Sequence, residues 1–220
     1  MQASSVGPTT RSAGNVALAG TAAFASACVA WQFIRSDLDW VHAPMSFYLL
    51  GAAGWGLQAA YGGLAVAVAA LGSGYYRALP PEARSAAPLL LFGMAAVALV
   101  VTALARSNLP DAVPTLQGWV HGTAASTAFL TMTTGMLLQS WRLREAEAWA
   151  PRWKPAFALA MVCFLAMWLL ALLRDIPRGA GQKVVIALIV AWLGLAAHWL
   201  RRAEAGGGSR TGPVERTDRH

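Results

Sequence analysis

AAPLLLFGMAAVALVVTALA, residues 86–105, decides the fold. The stretch carries no charge and has the length an α-helix needs to cross a bilayer's hydrocarbon core, about 20 residues for roughly 30 Å. Its apolar side chains neither alternate nor gather on one stripe, so a helix built from it is greasy all round and requires greasy surroundings. On either side the pattern recurs at 14–34, 48–71, 119–141, 155–173 and 184–200. The first block tests as a cleaved signal, with Ala25-Ser26-Ala27-Cys28 as the processing site, but it is too long, lacks a leucine ahead of the cysteine and precedes five more blocks.

The whole chain agrees with these blocks. It is 57% hydrophobic and 12% charged, against about 25% charged in a soluble domain. The expected fold is all-α: a polytopic integral membrane protein, a bundle of six transmembrane helices over 14–202, with a flexible tail at 1–13 and a disordered polar tail at 203–220. Trp40, Trp119, Trp141, Trp153 and Trp199 fall at block ends, where an amphipathic ring favours headgroup depth.

The net charge of +7 would suggest nucleic acid in a soluble protein, but the basic residues lie between and after the blocks without a basic-aromatic binding face. Orientation accounts for them. Arg11, Arg77, Arg84, Arg142, Arg144, Arg152, Lys154, Arg201 and Arg202 fall in the termini and even-numbered loops; Arg35, Arg106, Arg174, Arg178 and Lys183 fall in the odd ones. Lys and Arg are retained on the cytoplasmic side, which puts both termini there and loops one, three and five outside. Cys28 and Cys163 sit inside apolar blocks and form no disulfide framework. The glycines of helix two, from Gly51 to Gly63, read as close-packing positions, and Thr123, Thr127, Thr131 and Thr134 read as a stripe pointing into the bundle, bonded to its own helix's carbonyls.

Ionisable groups near a membrane core are candidates for function, and here they gather on the outer side. Loop one and the start of helix two supply His42 and Ser46; loop three and the start of helix four supply Asp111 and His121; loop five supplies Arg174, Arg178, Gln182 and Lys183. Helices two, four and six all begin there, so their N-terminal dipoles favour an anion. The expected site is a pocket for a phosphate or carboxylate on a lipid headgroup, contacted by Arg174, Arg178, Gln182 and Lys183. The plainer reading leaves His42 as a wet loop residue, Ser46 as a helix cap and the basic groups as headgroup anchors.

His42-Ala43-Pro44-Met45-Ser46, Gly51 to Trp55, Gly118-Trp119-Val120-His121-Gly122 and Gly181-Gln182-Lys183 together resemble a family of bacterial six-helix membrane proteins called domain of unknown function 998, over about residues 15–202. The resemblance implies a six-helix bundle in a bacterial plasma (inner) membrane and leaves the activity open. It also marks departures. The family's acidic position in loop three falls on Asn108 or Asp111, a frequent family histidine is Gln117, and the usual arginine after the last helix's glutamine is Lys183.

Three classes of function fit. A lipid-directed hydrolase or headgroup transferase would use His42 and His121 as acid/base groups or metal ligands, Asp111 to orient one of them and Ser46 as nucleophile. A divalent metal such as zinc suits that residue set, but no spacing motif specifies it. A binding or transport protein would recognise an anionic lipid or small solute in the same pocket, and a structural membrane partner would use the outer loops for docking.

Overall fold

The chain is described by a computed structural model at residues 8–110, 112–173 and 175–203, and among these every regular element is helical. They are α1 (Pro8–Ile34), a short 3-10 turn (Met45–Leu49), α2 (Gly54–Ala78), α3 (Ala86–Leu104), α4 (Leu116–Leu143), α5 (Ala150–Leu172) and α6 (Arg178–Arg202). All but α4 are long and apolar enough to cross a membrane. Their outward faces carry bare apolar side chains, Val97 66% exposed and Leu172 69%, which water would not tolerate in such number but lipid does. The protein is a helical, multi-pass membrane protein.

Consecutive helices pack in order from α1 to α6, and α6 closes the ring against α1 while also touching α2. Tyr75 donates its hydroxyl to the Ala196 carbonyl at 2.9 Å, joining α2 to α6, and the Trp192 indole N–H donates to the Ala156 carbonyl at 2.9 Å, joining α6 to α5. Both side chains are buried, and each N–H or O–H finds a partner as the interior requires.

Helix starts depart furthest from the hydropathy blocks in three places. α1 begins at Pro8, within the segment expected as a tail, because Thr10 and Ala13 are already buried and proline is tolerated in a first helical turn. The second block does not start a helix at Tyr48. Residues 45–49 form the 3-10 turn, Gly51 takes φ +83°, open to glycine without steric cost, and α2 follows only at Gly54. α6 starts at Arg178 rather than at residue 184, so Arg178, Gln182 and Lys183 belong to its first two turns instead of to a loop.

α4 spans 28 residues, about 42 Å at 1.5 Å per residue, but its hydroxyls dilute its hydropathy. Thr127 and Thr131 donate to the carbonyls of Thr123 and Thr127, four residues back, at 2.8 and 2.7 Å. The stripe does not point inward throughout, since Thr131 is buried and Thr123 is exposed: four-residue spacing drifts around a helix of 3.6 residues per turn.

Two ends of the bundle are distinct. At one, Gly14 lies against the Arg201 backbone, Gly74 against Leu200, and Tyr75 against Trp149. This end collects Arg77, Arg152, Arg201 and Arg202, with the Arg144 guanidinium 3.6 Å above the Trp141 ring. At the other, residues 35–53, the α3–α4 connection and the start of α6 meet.

Candidate ligand site beneath the first loop

The segment 35–53 is fastened to two helices and to the α3–α4 connection. On α1, the Trp31 indole donates to the Ala53 carbonyl at 3.0 Å, and within the segment Arg35, just past the end of α1, donates to the Leu50 carbonyl at 2.7 Å. On α6, the Ala180 N–H donates to the Val41 carbonyl at 2.8 Å, Gln182 accepts from the Met45 N–H at 2.7 Å, and the Lys183 ammonium donates to the carbonyls of Trp40 at 2.6 Å and Ala43 at 2.9 Å. From the α3–α4 side, Ser107 donates to the Ser46 carbonyl at 3.4 Å. A segment with little regular structure has its backbone groups satisfied this way.

Neighbouring residues of this fastening face different spaces. Met45 and Lys183 line a groove of about 750 Å³ between α1 and α6; Ser46 and Gln182 line a partly open cavity of about 60 Å³ ringed by α1, α2, α3, α4 and α6. Ile186 and Val190 stand in the wall of both. The groove is apolar along Val29, Phe33, Ala187 and Ala191, with Ser36, Trp40 and Lys183 at the loop end. Lys183 carries three N–H donors and gives two to loop carbonyls, which leaves one for a ligand. Its ammonium also lies 5.1 Å from the Tyr48 ring centroid, an arrangement that stabilises the cation.

The expected site residues are only partly brought together. Ser46, His121 and Gln182 share the partly open cavity. Ser46 caps no helix: the 3-10 turn follows Pro44 without a side-chain cap bond. His121 is 5% exposed, its Nδ1 3.0 Å from the Ala105 carbonyl; a carbonyl only accepts, so Nδ1 carries a proton, and in the neutral ring Nε2 is then an acceptor. His42 stands apart in water, its Nδ1 2.6 Å from the Asp39 carboxylate. Arg178 donates to the Leu170 carbonyl at 2.9 Å, tying α6 to the end of α5. Asp111 and Arg174 lie outside the described residues. Asn108, the other candidate for the acidic position, accepts from the Thr115 hydroxyl at 2.8 Å, and Thr115 in turn caps α4 by accepting from the Gly118 N–H at 3.0 Å. Among the described residues no three His, Cys, Asp or Glu side chains gather to hold a metal. Tyr61, which also lines the cavity, is a site residue the sequence reading missed, since a tyrosine within an apolar block looks like packing.

Asp39 is held below the ordinary carboxylate range, first by its bond to His42 and then by the Val41 N–H. The carboxyl is fully exposed, so the effect is local. Its sign is that of a depressed acid: the bond is intact above the ordinary carboxylate pKa and is lost as pH falls through the lowered one. In a ¹³C NMR titration, His42→Ala should raise the Asp39 midpoint; an unchanged midpoint would show that the contact does not persist in solution.

No curated protein and no solved structure matches the chain. A family model does, over residues 18–199. That span takes in the loop segment, the groove and the cavity together, and the chain belongs to the family described as protein of unknown function (DUF998).

Proposed function

We propose that this is a six-span protein of a bacterial plasma membrane, termini cytoplasmic, that binds an anionic lipid of the outer leaflet. The sixth span is α4. Its neighbours α3 and α5 are apolar enough to cross, it is longer than either, and the hydroxyls of Thr127, Thr131, Thr133 and Ser140 are bonded to carbonyls of the same helix. The basic end of the bundle supports this orientation, since Lys and Arg are retained in the cytoplasm.

The observation that carries the binding reading is the α1–α6 groove, whose apolar length ends at one cation, Lys183. From Lys183 to Ala191 the groove follows α6 for about 12 Å, room for part of an acyl chain, and the remaining ammonium donor lies where a headgroup would sit. An anionic headgroup gains a charge-assisted bond there that a zwitterionic one, with its own cation nearby, gains less well. The test is lipid retention. The full chain is purified in mild detergent from an equimolar mixture of phosphatidylglycerol and phosphatidylethanolamine, and the retained lipid is quantified by native mass spectrometry. Enrichment of phosphatidylglycerol by tenfold or more is expected; equal retention contradicts the reading.

One observation favours a second reading, a lipid hydrolase or headgroup transferase: Ser46 and His121 line the same cavity. His121 would act as base toward Ser46, without help from His42, which lies in the exposed loop. Whole-lipid profiles unchanged by Ser46→Ala would remove it.

A further inference from the structure

The cavity gathers polar atoms that have no partner among the described residues. Ser46 Oγ, Tyr61 Oη, Gln182 Nε2 and His121 Nε2 make no hydrogen bond to any described residue, although each of these side chains lines the same space. Tyr61 and His121 are more than nine-tenths buried. The rest of the lining is apolar, Leu64, Leu99, Met132 and Ile189 among it. These four atoms are not packed against protein but open onto this space, and polar groups held among apolar side chains are costly unless what fills the space pairs with them.

We infer that this cavity is a second binding site, for a neutral hydroxyl-bearing ligand held by Ser46, Tyr61, Gln182 and His121. The donors and acceptors fit it: Tyr61, Ser46 and Gln182 offer N–H and O–H groups to an oxygen, and His121 Nε2 accepts from its proton. No described lining residue carries a fixed charge, so an ion there would lack a counter-ion among them. The cavity's 60 Å³ has room for more than one water, since a single water needs roughly 10–15 Å³ of such space. The same space takes the alcohol end of an uncharged membrane amphiphile. The site is distinct from the groove and does not depend on an anionic lipid occupying it.

The test is ¹⁵N NMR of the histidine-labelled full chain, with Ala128→Leu as the variant, because Ala128 lines the cavity and a leucine there fills it. In the native protein the His121 ring should show Nδ1 protonated and Nε2 unprotonated but hydrogen-bonded. Ala128→Leu should displace the hydroxyl, moving Nε2 to the position of an unbonded nitrogen and lowering the thermal midpoint. A dry cavity would behave oppositely: filling it would raise the midpoint, and Nε2 would be unbonded from the start; either result overturns the inference. If Ala128→Leu does not fold, the native spectrum still decides. Native mass spectrometry separates the two sources, since a neutral lipid adduct identifies the amphiphile, and a bonded Nε2 with no adduct identifies water.

Discussion

Gly179→Ala is expected to lower the thermal midpoint of the detergent-purified protein by about 5 °C, from a cost of about 1–3 kcal/mol for forcing a methyl into a packed site. A Cβ on Gly179 would lie 2.6 Å from the Ala43 carbonyl oxygen and 2.7 Å from the Val41 carbonyl oxygen and the His42 carbonyl carbon. These are backbone atoms, which cannot swing aside like the tip of a side chain, so α6 must back away from the loop. The bonds from Ala180 to Val41 and from Lys183 to Trp40 and Ala43 then lengthen together. Gly62→Ala is the control, since a Cβ there meets nothing within 4 Å. Alanine being the better helix former by about 1 kcal/mol, that variant should hold or raise the midpoint. Equal effects from the two would show that the approach of α6 to the first loop is not tight.

Lys183→Met should reduce retention of phosphatidylglycerol at least tenfold, equivalent to about 1.4 kcal/mol, and should also lower the midpoint, because two N–H donors to loop carbonyls disappear with the charge. Methionine keeps the length and apolar stem, so packing in the groove is largely preserved. The two effects can be separated. Gln182→Ala removes the acceptor for the Met45 N–H, 2.7 Å away, and loosens the same fastening without removing a cation. If the charge binds the headgroup, Gln182→Ala loses stability but keeps its preference for the anionic lipid. If both variants lose that preference equally, the fastening matters and the charge does not. Lys183→Arg keeps the charge on a planar fork that cannot reproduce two carbonyl bonds from one point, so it should retain part of the preference at reduced stability.

How much of this was legible in the sequence depends on the kind of signal. The α3 block was readable almost to the residue, Ala86–Leu104 against 86–105, because an uninterrupted apolar run bounded by Ser85 and polar residues has one reading in a membrane. The start of α2 was not. Residues 45–53 are as apolar as a helix, and only the backbone at Gly51 reveals the turn that breaks them. The start of α6 failed in the opposite sense: Arg178 to Lys183 looks like a loop by hydropathy, but its polar groups are spent on carbonyls of the first loop and the end of α5, which lets the helix extend through them.

The site divides along the same line. Ser46 and His121 stood out as polar residues in apolar surroundings, and they do share a cavity. His42 stood out equally and lies elsewhere, because residue type reports chemistry and not direction. Lys183 and Gln182 were noticed as ligand contacts, whereas their first partners are backbone groups of residues about 140 positions away in sequence, a pairing that only the folded chain displays.

The most direct test of lipid binding in the groove between α1 and α6 is photo-crosslinking in vesicles, using phosphatidylglycerol with a diazirine partway along one acyl chain. The adducts should concentrate on peptides containing Val29 and Phe33 of α1 and Ala187 and Ala191 of α6, and Lys183→Met should deplete them. Adducts spread evenly over the outward faces of all the helices, including Leu165 and Leu172 of α5, would mean that the groove holds no lipid in preference to the rest of the surface.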